Sequence, residues 1–278
     1  MKRAIIILII LIAGIGLLSY PFISNYLTEL NGSDAIQEFN AQFEQQEDAD
    51  TAVQRTLAEE YNASLTGQSI KDPFVSDSGI VQPDNYDEIL DYANHMMGYI
   101  EIPKINIYLP IYHGVADDVL NKGVGHMSQT AFPIGGEGNH AVLTGHSALP
   151  EAKLFTDLTE LTEGDTFYIH ILNETLAYQV DNITIVEPEN TENLHPVAGE
   201  DYVTLITCTP YAVNSHRLLV RGMRIPYTEE QHQEEIKNGG MIFAKVDTHA
   251  VFVGVVVAGI MLVIIVLVII RRRRNNKN

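Results

Sequence analysis

Two uninterrupted apolar runs bracket a chain whose middle is patterned quite differently. Residues 4–18, AIIILIILIAGIGLL, follow Met1-Lys2-Arg3, and residues 250–270, AVFVGVVVAGIMLVIIVLVII, precede four arginines at 271–274. The second run holds 21 residues without a charge. At about 1.5 Å per residue that crosses a bilayer core, and the basic cluster behind it is the flank expected of a membrane span. The first run fits either a signal peptide or an uncleaved anchor, because SYPFISNYL offers no clean small-x-small cleavage site. Both outer flanks are basic, so an uncleaved first span puts both termini in the cytoplasm and the middle outside the membrane.

Residues 29–61 are polar and acidic, with Ala35, Ile36, Phe39, Phe43, Val53 and Leu57 at roughly helical spacing. That spacing predicts one or two amphipathic helices. Residues 67–84, GQSIKDPFVSDSGIVQPD, lose all periodicity. A loop of this length in a compact domain is often a lid or a binding loop. From Met97 short apolar runs alternate with turn residues: GYIEIPKINIYLPIYHG, NHAVLTGH, DTFYIHIL, ETLAYQVDNITIVEP, DYVTLITCTP and HRLLVRGMRIPY. Many short strands separated by turn signals predict a mainly β domain, a barrel or a sandwich. ADDVLNKGVGHM and KLFTDLTEL interrupt them as short helical or turn insertions. The resulting organisation is an N-terminal signal or anchor (1–28), a helical region with a loop (29–96), a β domain (97–227), a linker (228–249), a membrane helix (250–270) and a basic cytoplasmic tail (271–278).

Charge sharpens that division. The chain carries 17 Lys+Arg against 36 Asp+Glu, a formal net charge of −19. Seven of the 17 basic residues sit at the outer ends, leaving ten against all 36 acids between them, a net −26 for residues 29–248. So acidic a domain is a poor partner for nucleic acid. One cysteine excludes an internal disulfide framework and any multi-cysteine metal site.

That cysteine, Cys208, ends the apolar run YVTLITC, and Pro210 two residues on removes a ladder N–H and stops the strand. The thiol therefore belongs at a strand end. Most lone cysteines are small buried hydrophobes, yet an unpaired thiol in an exported domain is exposed to oxidation, and both readings stand on this evidence. A nucleophilic thiol needs a neighbour that favours the thiolate. Among ten histidines, His146 stands out because its strand, AVLT, breaks at Gly145, placing the ring at a strand end too. His140, His170, His195 and His216 read as solvated or hydrogen-bonded surface histidines. A reversal between Pro210 and Ser215 lays the next strand antiparallel beside the cysteine strand and brings Arg217 close to Cys208. Arg221 shares its face, and alternation alone does not separate the two; Arg224 faces the other way. An arginine there can hold a carbonyl or its oxyanion, though most strand arginines are solvated or salt-bridged. No cofactor or metal motif emerges: there is no H-E-x-x-H, no phosphate-binding glycine loop and no G-x-S-x-G around Ser147. His140 and His146 are too far apart to chelate alone.

These residues also carry a family likeness. TLITC at 204–208 resembles the TLxTC signature of sortases, HAVLTGH at 140–146 resembles the strand that delivers their catalytic histidine, and Arg217 falls nine residues past the cysteine, as their arginine does. GGEGNHAVLTGHSALPEAKLFTDLTEL, TLITCTPYAVNSHRLLVRG and the C-terminal apolar run resemble class C, the pilus-assembling sortases of Gram-positive bacteria. The resemblance implies a closed β-barrel flanked by two membrane helices, with no cofactor. It implies a cysteine transpeptidase in which Cys208 attacks an LPxTG-like sorting signal, His146 serves as general acid and base, and Arg217 orients the signal. The partners it implies are pilins that bear such signals and acceptor lysines. Relatives that anchor surface proteins to peptidoglycan are the alternative, and a non-catalytic membrane-anchored binding domain is a second. The class often carries a lid with Asp-Pro-aromatic, and Asp72-Pro73-Phe74 lies in the long loop, where Asp72 could pair with Arg217 and Phe74 cover Cys208. One departure is Ser147-Ala148, where a basic residue and glycine are expected; it is read as bearing on substrate preference and as leaving the triad untouched.

Overall fold

The computed structural model describes residues 2–44, 48–65, 70–74, 85–150 and 152–239. Residues 21–241 form one compact unit, and residues 1–20 with 242–278 form another, of which the described part is helical. The first helix, α1 (Lys2–Phe43), runs through Pro21, so the first apolar run and the first amphipathic segment share one helix. Among the described residues no helix is long and apolar enough to cross a membrane. The run 250–270 lies outside the described residues, as do most side chains of residues 4–11.

The larger unit is a closed eight-stranded barrel. Its strands are β1 (Met96–Ile102), β2 (Ile107–His113), β3 (Val124–His126), β4 (Asn139–Thr144), β5 (Thr166–Ile171), β6 (Glu174–Val186), β7 (Asp201–Thr209) and β8 (His216–Ile225). Around the barrel the order is β1-β2-β3-β4-β7-β8-β6-β5, and β5 pairs with β1 to close it. β2–β3 and β4–β7 are parallel, and the other pairs are antiparallel. Closure removes the exposed edges that an open sheet must protect. Of the two β architectures open to the sequence, the barrel is the one formed.

The unbroken apolar character of β7 follows from burial on both faces. Val203 and Leu205 point into the main core, while Ile206 joins a second cluster with Ile70, Met127, Val142, Val186, Leu194 and Leu219. By alternation Thr204, Ile206 and Cys208 share that outer face. Segments outside the barrel cover it: Ile70 from the long loop, and Leu194 from a single helical turn at Glu192–Leu194. In β1, Ile100 and Ile102 face inward, which turns Tyr99 and Glu101 outward.

Two helices pack on the barrel. Ile36, Phe39 and Phe43 of α1 and Ala58 and Tyr61 of α2 (Asp48–Ser64) are buried in the main core. Phe39 meets Tyr92 and Tyr99 edge-on at 5.7 and 6.1 Å. Val53 was expected on the apolar stripe but is 57 % exposed, because the α2 face that docks is the one bearing Ala58 and Tyr61. The insertion 116–127 holds both the short helix α3 (Asp117–Leu120) and strand β3. The insertion 153–161 holds a short helical stretch at Thr156–Glu160. Within the stretch read as linker, Glu229–Gly239 forms helix α4.

Leu205, fully buried in β7, tests how far the barrel depends on this strand. Leu205→Ala removes its contacts and leaves a cavity, with an expected loss of about 2–5 kcal/mol. Chemical denaturation followed by circular dichroism should show a lower midpoint at unchanged slope; an unchanged midpoint contradicts the packing described.

Candidate active site

β7 ends at Thr209, directly before Pro210, as the missing N–H requires. The chain then turns, with Val213 and Asn214 N–H both donating to the Pro210 carbonyl at 3.0 Å, and returns as β8. The antiparallel register places Cys208 directly opposite Arg217 and Ile206 opposite Leu219. Directly opposed residues lie on one face with Cβ atoms about 4.5–5.5 Å apart. Arg217 therefore stands beside the thiol, on the outer face of the barrel.

The register also separates the three arginines. Arg221, on the same face, is bound by Asp181 at 2.7 and 3.0 Å and stacks over Tyr202. Arg224 lies 3.6 Å from Asp201. Only Arg217 of the three opposes the cysteine.

His146 reaches the same end of the barrel through β4, which runs parallel to β7 with Thr144 beside Ile206. Past Thr144 the strand opens, but the backbone stays pinned. Gly145 N–H donates to the Ile206 carbonyl at 3.1 Å, and Thr207 Oγ1 donates to the Gly145 carbonyl at 2.8 Å. A Cβ on Gly145 would lie 2.7 Å from the Phe155 ring, so glycine is what permits this close approach. Phe155 N–H then donates to the His146 carbonyl at 3.0 Å.

Ser147, read from the sequence as bearing on substrate preference, lies against the cysteine strand. It is buried, and its hydroxyl donates to the Cys208 carbonyl at 2.7 Å. The residue after the histidine thus clamps its segment to the cysteine strand. A small hydroxyl next to a strand break is the sequence signal, but its partner, 61 residues away, is visible only in the fold.

The loop segment 70–74 lies over this end of the barrel. Its stem is held by Ile70 in the second apolar cluster, by Lys71 N–H donating to Gln129 Oε1 at 2.8 Å, and by Thr191 Oγ1 donating to the Ile70 carbonyl at 3.1 Å. Asp72 and Pro73 are buried. Arg217 Nε and Nη2 donate to the two Asp72 carboxylate oxygens at 2.8 and 2.6 Å, and its Nη1 donates to the Asn214 and His216 carbonyls. Both side chains of this two-pronged pair are less than a tenth exposed. Phe74 packs its ring 5.7 Å from the His146 ring and 5.0 Å from the Arg217 guanidinium.

Burial pushes the Cys208 thiol up from its ordinary value; Arg217 pulls it down and Asp72 pushes it up again. Burial pulls the His146 imidazole down, with partial opposition from Asp117. At neutral pH both shifts favour the uncharged thiol and imidazole.

Of the other histidines, His140 and His170 depart from the surface reading. His140 is buried, its Nε2 2.7 Å from Thr204 Oγ1 and its Nδ1 3.1 Å from the His195 carbonyl. Burial pulls it down to about 4, so it is a neutral strut between β4 and β7. His195 is exposed and His216 is half-exposed beside Glu187, as the surface reading has them. His170 is drawn into a cluster with Glu101 and His232 that no local spacing announces, since the three lie far apart in the chain.

Comparison with known proteins is consistent with this geometry. Residues 100–225 match the family described as Sortase domain. The chain is 27% identical over 225 residues to Sortase A of Bacillus anthracis, covering 79% of this chain and 92% of that one. The crystal structure of sortase C-1 from Streptococcus pneumoniae is 46% identical, with a TM-score of 0.66, covering 69% of this chain and 98% of its own. A pilus-related sortase C of Group B Streptococcus is 43% identical, with a TM-score of 0.64, covering 69% and 97%. Matched at 43–46% identity over nearly the whole length of such relatives, the chain belongs to the sortase family, among its class C members, and is a cysteine transpeptidase.

Proposed function

We propose that the enzyme cleaves LPxTG-like sorting signals and joins pilin subunits through isopeptide bonds, with Cys208, His146 and Arg217 as its catalytic residues. The observation that carries this reading is the direct opposition of Cys208 and Arg217 across β7 and β8, at the end of the barrel where the His146 segment is clamped to the cysteine strand. His146 takes the Cys208 thiol proton as Sγ attacks the carbonyl carbon of the Thr–Gly bond. The tetrahedral intermediate collapses to a thioacyl-enzyme as the C–N bond breaks and His146 delivers a proton to the departing glycine amine. A pilin lysine amine, relieved of a proton by His146, then attacks the thioacyl carbon, forms the amide and returns the thiol. Arg217 supplies fixed N–H donors to the developing oxyanion. The pilus-related class C relative supports the choice of pilin over other acceptors.

Asp72-Pro73-Phe74 acts as a lid in this reading. With Asp72 in place, every Arg217 nitrogen is already engaged, and Phe74 occupies the space against His146. The described form is therefore the restrained one. The reading also places the catalytic domain outside a cell membrane, held by the two apolar runs. Support comes from the exposed Ile10, Leu17, Leu18 and Phe22 of α1, apolar side chains at 65–79% exposure that suit lipid better than water.

Two measurements test these roles. The detergent-solubilised full chain, incubated with a labelled LPxTG-type peptide, should accumulate an adduct at Cys208 that Cys208→Ala abolishes. Arg217→Ala should slow adduct formation by about 10²–10³-fold, the usual cost of losing an oxyanion donor; wild-type rates in either variant would overturn the assignment. The lid is tested by the Asp72→Ala/Phe74→Ala double variant. Asp72 holds the thiol up and Arg217 pulls it down, so removing Asp72 lowers the thiol pKa. Alkylation of Cys208 at pH 7 should speed up several-fold, and its pH midpoint should move to lower pH. Unchanged alkylation and cleavage would sink the lid.

A further inference from the structure

On the barrel's outer wall, under α4, three metal-ligating side chains from three elements converge. Antiparallel pairing sets Tyr99 opposite His170 and Glu101 opposite Tyr168, so Glu101 and His170 lie diagonally adjacent on one face. α4 covers them with His232, and Tyr168 donates its hydroxyl to Glu235 of the same helix at 2.9 Å. His170 Nε2 and His232 Nε2 each stand 3.2 Å from Glu101 Oε2. The three ligand atoms all lie within 4.8 Å of one another.

The outer nitrogens of both rings already have partners. Tyr227 gives its only hydroxyl proton to Glu229, so it can only accept from His232 Nδ1, 3.2 Å away. Thr175 Oγ1 stands 3.1 Å from His170 Nδ1 and can take that proton in the same way. Protonated at Nδ1, a neutral imidazole turns its Nε2 lone pair toward the carboxylate. With its proton on Nε2, His170 hydrogen-bonds Glu101 Oε2 at 3.2 Å; with both rings protonated at Nδ1, three electron-pair donors face one another. Two of their atoms are orphans: Glu101 Oε1 and His232 Nε2 are buried without a hydrogen-bond partner, on residues only 2% and 5% exposed. His232 Nε2 lacks such a bond even though Glu101 Oε2 is 3.2 Å away, so the ring is aimed past that oxygen.

We infer that Glu101, His170 and His232 form a binding site for a divalent metal of zinc's chemistry, which fastens α4 to the barrel wall. Two imidazoles and a carboxylate suit zinc; calcium and magnesium prefer oxygen alone. With metal–ligand bonds of about 2.0–2.1 Å, a tetrahedral site has edges of about 3.3–3.4 Å, close to the two 3.2 Å separations here. The Nδ1 contacts to Tyr227 and Thr175 are the outer hydrogen bonds that orient metal-bound histidines. Glu101 Oε1 is free to complete the coordination. A metal here is structural, since Cys208 and Arg217 lie on β7 and β8 while the three ligands come from β1, β5 and α4.

The test is metal uptake by the detergent-solubilised full chain after chelator stripping. Titration with Co²⁺ should give one equivalent per chain and the visible absorption of a tetrahedral site, and Zn²⁺ should displace it and raise the melting midpoint. Glu101→Gln and His232→Gln should each abolish uptake. His170→Gln, at a less buried position, should weaken it at least about tenfold while circular dichroism shows an intact fold. Cys208→Ala should bind as wild type, which excludes the thiol as the ligand. No stoichiometric uptake by the wild type would overturn the site and leave a histidine–carboxylate ion pair. Uptake that survives the three ligand variants, or that disappears with Cys208→Ala, would overturn it equally.

Discussion

The β7–β8 register is the constraint on which the site rests. Pro210 fixes where β7 must end, and the short reversal after it fixes which residue of β8 comes back opposite Cys208. A shift of one residue would turn Arg217 to the opposite face of the sheet. That shift is opposed along the whole strand pair. Val220 would leave the core, and Leu219 would leave the second cluster. The chemistry borrows its precision from hydrophobic burial several residues away.

Much of this was readable in the chain because it is local. A proline that ends a strand, a glycine that opens one, and a period of two place Cys208, His146 and Arg217 on neighbouring strand ends. What could not be read was pairing at a distance. Periodicity does not say that β4 lies parallel to β7, so it could not show Ser147 meeting the Cys208 carbonyl or His140 buried against Thr204. Nor does it separate Arg217 from Arg221, which alternate identically and are told apart by the register, Cys208 opposite the one and Thr204 opposite the other. The polar composition of residues 229–239 concealed a docked helix, because the docking depends on a few side chains, His232 and Glu235 among them, rather than on an apolar stripe.

Electrostatics at the site runs in two layers. Burial disfavours charge on both thiol and imidazole. Arg217, the fixed cation that pulls the thiol down, is itself matched by Asp72. A buried carboxylate thus works at two positions, neutralising Arg217 and keeping the thiolate unfavourable without touching the sulfur.

The Asp72–Arg217 pair has a consequence for binding thermodynamics. Both groups are out of water, and stranding one partner of such a pair costs about 3–5 kcal/mol. In the proposed lid reading, the loop opens readily only when something else satisfies the guanidinium. The chain therefore carries its own rival ligand, tethered by Ile70 and present at a local concentration that dilution cannot change. If Asp72-Pro73-Phe74 is the lid proposed above, a peptide that binds here is measured against that rival, and its apparent affinity is the intrinsic one reduced by the fraction of time the loop stands open.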